Sequence, residues 1–200
     1  MVLRGGRWAD RRRGLRKRIS CGAHFQLCGV RENGLPADTI CFMQGKPKVI
    51  ALLNEALKEE LTAISQYFLH AEMCENWHYE KLGDFIKKQS IDEMKHAEAL
   101  IERILFLDAT PTMGDALQLS VGKNVKEQLE SDLKLEISAV GLYNRAAETA
   151  RTEGDNASRE LFERLLKDEE EHVDWLEAQL FQIGEMGYER YLSQQIRDEK

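Results

Sequence analysis

The stretch SIDEMKHAEAL, residues 90–100, decides the fold because it has a counterpart in KDEEEHVDWLE, residues 167–177. In the first, Glu93 stands three residues before His96; in the second, Glu169 stands three before His172. Each pair has a lone glutamate 33 residues upstream, Glu60 for the first and Glu136 for the second. Glu60 to Glu136, Glu93 to Glu169, His96 to His172 and Tyr67 to Tyr143 all step by 76 residues, so one constellation occurs twice. Positions i and i+3 share a helix face, so each Glu-x-x-His aims a carboxylate and an imidazole at one point. Four carboxylates and two imidazoles suit a pair of iron or manganese ions held inside a four-helix bundle.

A single Glu-x-x-His is weak, since about 0.6 would arise by chance at this glutamate content with five histidines. Glu75 and His78 form such a pair, but position 42, 33 residues upstream, is Phe42. They also lie beside Trp77 and Tyr79 at an expected helix end, and read as a decoy. The repeated Glu, Tyr, Glu, His register is what separates the other two pairs from charged residues on solvated faces.

Hydrophobic residues make up 42% and charged residues 32%, with only three prolines, a balance that favours long amphipathic helices. No apolar run approaches the roughly eighteen residues of a membrane span. The net charge of −7 is uneven. Residues 1–42 carry nine Lys+Arg against three Asp+Glu, leaving the remainder at −13. An acidic body disfavours nucleic acid and gathers cations. Cys21, Cys28 and Cys41 lie in the basic leader and Cys74 in the body, without a Cys-x-x-Cys pair. That pattern excludes a rubredoxin-like or zinc site and a disulfide framework, and fits a reducing cytoplasm.

Residues 1–42 are expected to be separate from the domain at 43–200. The Arg-rich RRRGLRKR run allows a targeting peptide or a basic tail, but its apolar core is feeble. The favoured reading is a disordered or non-native extension, with Met43 as the real start.

From Pro47 the pattern is helical to about Trp77, with Val49, Ile50, Leu53, Leu57, Ile64 and Phe68 at three- and four-residue steps. A second helix is predicted from about Leu82 to Leu107, with Ile91, Met94, Leu100, Ile101, Ile104 and Leu105 as core or interface positions. A third covers about Val125 to Thr152, and a fourth about Ala157 to Ile183 after Gly154, Asp155 and an N-cap at Asn156. A short fifth segment, Tyr188 to Arg197, needs docking to be stable. Residues 109–123 can span ~45 Å when extended, longer than the ~39 Å of a 26-residue helix. The second and third helices are therefore expected to be parallel. The predicted fold is all-α: a ferritin-like four-helix bundle with a long crossover between the second and third helices and a short fifth C-terminal helix.

From Met43 onward the chain resembles bacterioferritin, on the stretches MQGKPKVIALLN, ELTAISQYFLHAEM, SIDEMKHAEALIERILFL, LKDEEEHVDWLE and YLSQQIRDEK. The resemblance implies a homo-oligomeric cage of 24 subunits, a ferroxidase di-iron centre in each, and haem b shared across two-fold dimer interfaces. It implies Glu93 and Glu169 as carboxylates bridging the irons, Glu60 and Glu136 as terminal carboxylates, and His96 and His172 as one imidazole per iron. Fe(II) would be oxidised by O2 or H2O2 and stored as a ferric mineral, with a ferredoxin-type reductant as a partner for release. Met94, about 100° round the helix from Glu93, resembles the haem ligand. Tyr67 and Trp175, together with Tyr143, are candidate electron donors. Where some relatives place a cavity-facing histidine four residues before the aspartate of SIDEMKH, this chain has Lys88, with Asp92 kept. The competing reading is a small di-iron or di-manganese redox enzyme, of peroxidase or catalase type. Against a rubrerythrin stands the missing Cys-x-x-Cys. Against a mini-ferritin, which builds its sites between subunits, stands the complete ligand set within one chain.

Overall fold

Two three-residue breaks, Trp77–Tyr79 and Glu153–Asp155, turn four long amphipathic segments into two helical hairpins. The computed structural model describes residues 43–113 and 117–197. Helix α1 is Pro47–Asn76, α2 Glu80–Phe106, α3 Val125–Thr152, α4 Asn156–Met186 and α5 Tyr188–Gln194. No strand occurs among the described residues. The expectations for residues 1–42, including the leader and its three cysteines, lie outside the described residues.

Local chemistry sets the ends. Pro47 occupies the first turn of α1, where its missing N–H costs nothing. Asn124 caps α3 by accepting from Glu127 N at 3.0 Å, and Glu127 reaches back to Lys123 N at 3.0 Å. At the second break Gly154 takes φ 73°, a left-handed turn that a side chain resists. The α4 cap is Asp155, not Asn156: its carboxylate accepts from Ser158 N at 3.1 Å and Ser158 Oγ at 2.8 Å. Arg103 of α2 then holds that same carboxylate at 2.6 Å, tying the α3–α4 turn to the other hairpin.

The pairing of the hairpins gives the topology. Along α1, Lys48 meets Glu153 at the C-terminal cap of α3, and Glu55, Tyr67, His70 and Cys74 meet Arg145, Glu136, Asp132 and Gln128 of α3 in falling order, so α1 and α3 are antiparallel. Helix α2 is antiparallel to α1 by its hairpin, and therefore parallel to α3. The connection between them must cross the length of the bundle, as expected. It runs along α1, with Thr112 N on Asn54 Oδ1 (2.7 Å), Ser120 N on Gln66 Oε1 (2.8 Å) and Gly122 N on His70 Nε2 (3.1 Å).

The core falls into two apolar clusters. One gathers Leu53, Leu57, Leu100, Ile104, Tyr143 and Phe162; the other gathers Tyr67, Leu82, Ile86, Leu129, Leu176 and Tyr191. Each buried Leu or Ile contributes roughly 1.5–3 kcal/mol. A polar layer lies between the two clusters. Of the positions expected in the core or at an interface, Ile91, Met94 and Leu105 face outward on this chain, as does Phe68 of the α1 periodic set. Helix α5 ends at Gln194, short of Arg197, and is docked by buried Tyr191, whose hydroxyl donates to Gln179 at 3.0 Å.

Candidate metal centre

The polar layer is built from the middles of four helices. Glu60 (α1), Glu93 and His96 (α2), Glu136 (α3), and Glu169 and His172 (α4) are all buried. Ligand atoms of Glu60, Glu93, His96 and Glu169 converge within 4.8 Å of one another, as do those of Glu93, Glu136, Glu169 and His172. Glu93 and Glu169 belong to both groups. All six residues singled out by the 76-residue repeat are thus brought together, whereas the His78 ring of the decoy pair is exposed, 3.6 Å from Glu80 and apart from the layer.

Both imidazoles turn Nδ1 inward. His96 Nδ1 is 2.9 Å from Glu93 and 3.1 Å from Glu169; His172 Nδ1 is 2.9 Å from Glu93 and 3.1 Å from Glu169. The terminal glutamates are held by phenols from the opposite hairpin: Tyr143 donates to Glu60 and Tyr67 to Glu136. Both tyrosines are fully buried, and burial with the neighbouring carboxylates keeps their phenols protonated.

Electrostatics divides the carboxylates. Burial pushes Glu60 and Glu136 well above the ordinary carboxylate range, and the neighbouring glutamates add to it. Burial acts the same way on Glu93 and Glu169, but the His172 and His96 imidazoles outweigh it and hold both low, Glu169 at about 2. The same carboxylates overcome the burial of the imidazoles, raising His96 well above its usual range and His172 to about 10.

Four buried ligand atoms make only these short ionic contacts and no well-aligned hydrogen bond: both Glu93 carboxylate oxygens, Glu169 Oε1 and His96 Nδ1. Unsatisfied acceptors at a buried carboxylate cluster are costly unless a cation neutralises them. The donor set of hard oxygens with imidazole fits iron or manganese.

Two hollows flank the centre. One, of about 500 Å³, exposes an edge of His96 and His172 between Asp92, Lys95, Asp168 and Glu171. The other, of about 460 Å³, is a shallow apolar hollow on the outer face of α1 and α2, where Met94 sits with Leu61, Ile64, Ala97 and Ile101. Met94 is 49% exposed, so it is not core on this chain. Trp175 stacks on Phe85 with ring centroids 4.0 Å apart, and Lys88 is exposed.

Sequence spacing missed a second buried polar group one turn from the centre. Asp132 accepts from Gln66 Nε2 at 2.8 Å and meets His70 Nδ1 at 3.0 Å, with all three residues buried. Gly122 N–H donates to His70 Nε2, so the ring proton sits on Nδ1, facing Asp132. The available signal was a histidine on the buried stripe Ala63, Tyr67, His70, Ala71, Cys74.

A four-helix bundle with this doubled ligand layer defines a class, and a ferritin-like domain matches residues 50–186. The chain is 45% identical over 152 residues to the bacterioferritin of Mycobacterium leprae, covering 76% of this chain and 96% of that protein. It is 45% identical over 149 residues to the bacterioferritin of Brucella melitensis (74% and 92% covered). Against that of Streptomyces coelicolor it is 44% identical over 151 residues (76% and 90%). The chain belongs to the bacterioferritin family.

Proposed function

We propose that this protein stores and detoxifies iron, as a ferroxidase that converts Fe(II) to Fe(III) and holds the product as a mineral inside a 24-subunit cage. The observation that carries this reading is the buried layer of four glutamates and two histidines with four ligand atoms left without a well-aligned hydrogen bond. Glu93 and Glu169, which belong to both ligand groups, would be shared by the two metal positions. Glu60 and Glu136, held by Tyr143 and Tyr67, would each serve one position, with His96 and His172 supplying one imidazole apiece. The iron pair, when bound, supplies the electrons that reduce O2 or H2O2. The protein fixes the ligands, excludes water, and takes up or releases protons at Glu60, Glu136 and the imidazoles. Tyr67 and Trp175 would be the side chains placed to supply electrons to such a centre.

Met94 would hold haem b through its thioether, at an interface between two subunits. Its exposure in an apolar hollow supports this, since a thioether pointing out of one chain is available to be shared between two. Residues 43–200 form the functional domain, and the reducing cytoplasm with a ferredoxin-type reductant is its setting. No described helix is long and apolar enough to cross a membrane.

The test is aerobic addition of Fe(II) to the purified protein, followed by size fractionation with iron and protein read together. Hundreds of irons co-eluting with a very large oligomer are expected. About two irons per chain on a small particle would keep the di-metal site but replace the cage with a small redox enzyme.

A further inference from the structure

The two halves of the centre are not equivalent, and the difference begins one residue before each bridging glutamate. Asp92 and Asp168 are mates under the 76-residue repeat, and both line the hollow that exposes the histidine edges. Their neighbours differ in charge: Lys95 lies one turn on from Asp92, while the matching position after Asp168 is Glu171. Lys95 Nζ donates to Asp92 Oδ1 at 2.6 Å, and among the described residues Asp92 forms no ion pair with either histidine of the centre. Glu171 offers no cation, Arg164 lines the hollow without forming an ion pair with Asp168, and Asp168 Oδ2 stands 3.4 Å from His96 Nε2. Among the described residues no carboxylate takes the corresponding place behind His172.

The consequence follows from where a ring proton can be. An imidazole that binds a cation through Nδ1 carries its proton on Nε2. For His96 that proton lies on the side of the Asp168 carboxylate, 3.4 Å away, and a carboxylate there favours the Nε2–H tautomer and makes Nδ1 a better donor. For His172 it points into the open hollow. We propose that Asp168 is the positioning residue for His96 and makes the metal position of Glu60 and His96 the tighter, first-filled one. This inference rests on the di-metal reading above.

The test is titration of the metal-free protein with Co(II), followed by visible absorption, which needs no turnover. The wild-type protein is expected to bind two Co(II) per chain in separable steps. Asp168→Asn weakens the tighter step by about 10–100-fold and leaves the other within about twofold. Asp168→Glu restores most of the loss. With His96→Ala already present, Asp168→Asn changes nothing further, because its effect runs through that ring. Asp92→Asn leaves both steps in place, since Lys95 already occupies that carboxylate. Two equal Co(II) sites in the wild-type protein, or equal losses in Asp92→Asn and Asp168→Asn, would overturn the proposal, as would an unmoved Asp168→Asn titration. A wild-type protein that binds no Co(II) pair would sink the di-metal reading along with it.

Discussion

Tyr143 of α3 donates its phenolic hydrogen to Glu60 of α1, across the interface between the two hairpins. Its repeat mate Tyr67 makes the same bond to Glu136 in the opposite sense. Each hairpin therefore orients the terminal carboxylate of the other, and the centre can form only when the hairpins are in register. Tyr143→Phe and Tyr67→Phe keep the ring and its packing but free the glutamate. Each is expected to weaken divalent-metal binding by about tenfold, with little change in helix content, as read by Zn(II) competition and circular dichroism. A loss in only one of the two would show that the repeat is structural and not functional.

Glu93 touches both histidines and belongs to both halves of the layer. Glu93→Ala removes a donor shared by both metal positions. Rapid Fe(II) oxidation, followed by the rise of ferric absorbance, is expected to vanish while the oligomer elutes unchanged. Oxidation at the wild-type rate would refute the site assignment.

Much of this was legible in the sequence, for reasons that spacing can carry. The six centre residues, the crossover and the helix spans follow from a fixed offset, a long proline- and glycine-containing connection and a helical period. The Asp132–His70–Gln66 group was not legible. It depends on which residues of α1 face α3, and its repeat mates, Ala56, Ala146 and Leu142, carry no polar group. The choice of Asp155 over Asn156 as cap was likewise hidden, because either residue can cap. Arg103, 52 residues away, adds a contact to the carboxylate. Phe68 and Leu105 follow the helical period yet face outward, since periodicity cannot tell the core of one chain from a surface that another subunit would cover.

Metal binding should be strongly linked to pH. Burial keeps Glu60 and Glu136 protonated without metal, while the facing carboxylates keep both imidazoles protonated. With Glu93 and Glu169 ionised, the metal-free centre is then electrically neutral. Two divalent cations need all four carboxylates and both Nδ1 atoms, so about four protons per chain should leave on loading. A pH-stat during anaerobic Fe(II) addition measures this. Release of none would mean that the centre is already deprotonated.

The same groups set the stability of the metal-free form. Histidines raised above the ordinary 6.5 give stability that is complete below that pH and lost as pH climbs, to about 10 for His172. The raised Glu60 and Glu136 act in the same direction above 4.5, because the folded state binds more protons than the unfolded one. Glu169, lowered from 4.5 to about 2, contributes stability above 4.5 that is lost as pH falls through about 2. The melting temperature of the metal-free protein should therefore fall from mildly acidic to alkaline pH. Added Zn(II) should oppose that fall. A metal-free melting temperature that rises toward pH 9 would contradict the protonation pattern.

Met94 is half-exposed in a hollow shared with Leu61, Ile64, Ala97 and Ile101 and with Glu98 and Glu102. Met94→Leu keeps volume and shape, so stability should change by less than about 1.5 kcal/mol. Its thioether is gone, and the haem absorption band of protein purified or reconstituted with haem should disappear while Fe(II) oxidation continues. A persisting band would mean that another side chain binds the haem iron.

Asp132 is the single acceptor for both Gln66 Nε2 and His70 Nδ1 in a site closed to water. Through those two side chains it also holds Ser120 and Gly122 of the crossover against α1. Asp132→Ala strands two buried donors and loosens that connection, at an expected cost of about 2–6 kcal/mol. Asp132→Asn keeps one acceptor oxygen but sets an NH2 group against one of the two donors, so its cost should be about 1–3 kcal/mol. Urea unfolding of the metal-free protein separates the two variants. Hydrogen exchange at the Gly122 amide should rise in both, and an unchanged rate would show that the crossover is held by other contacts.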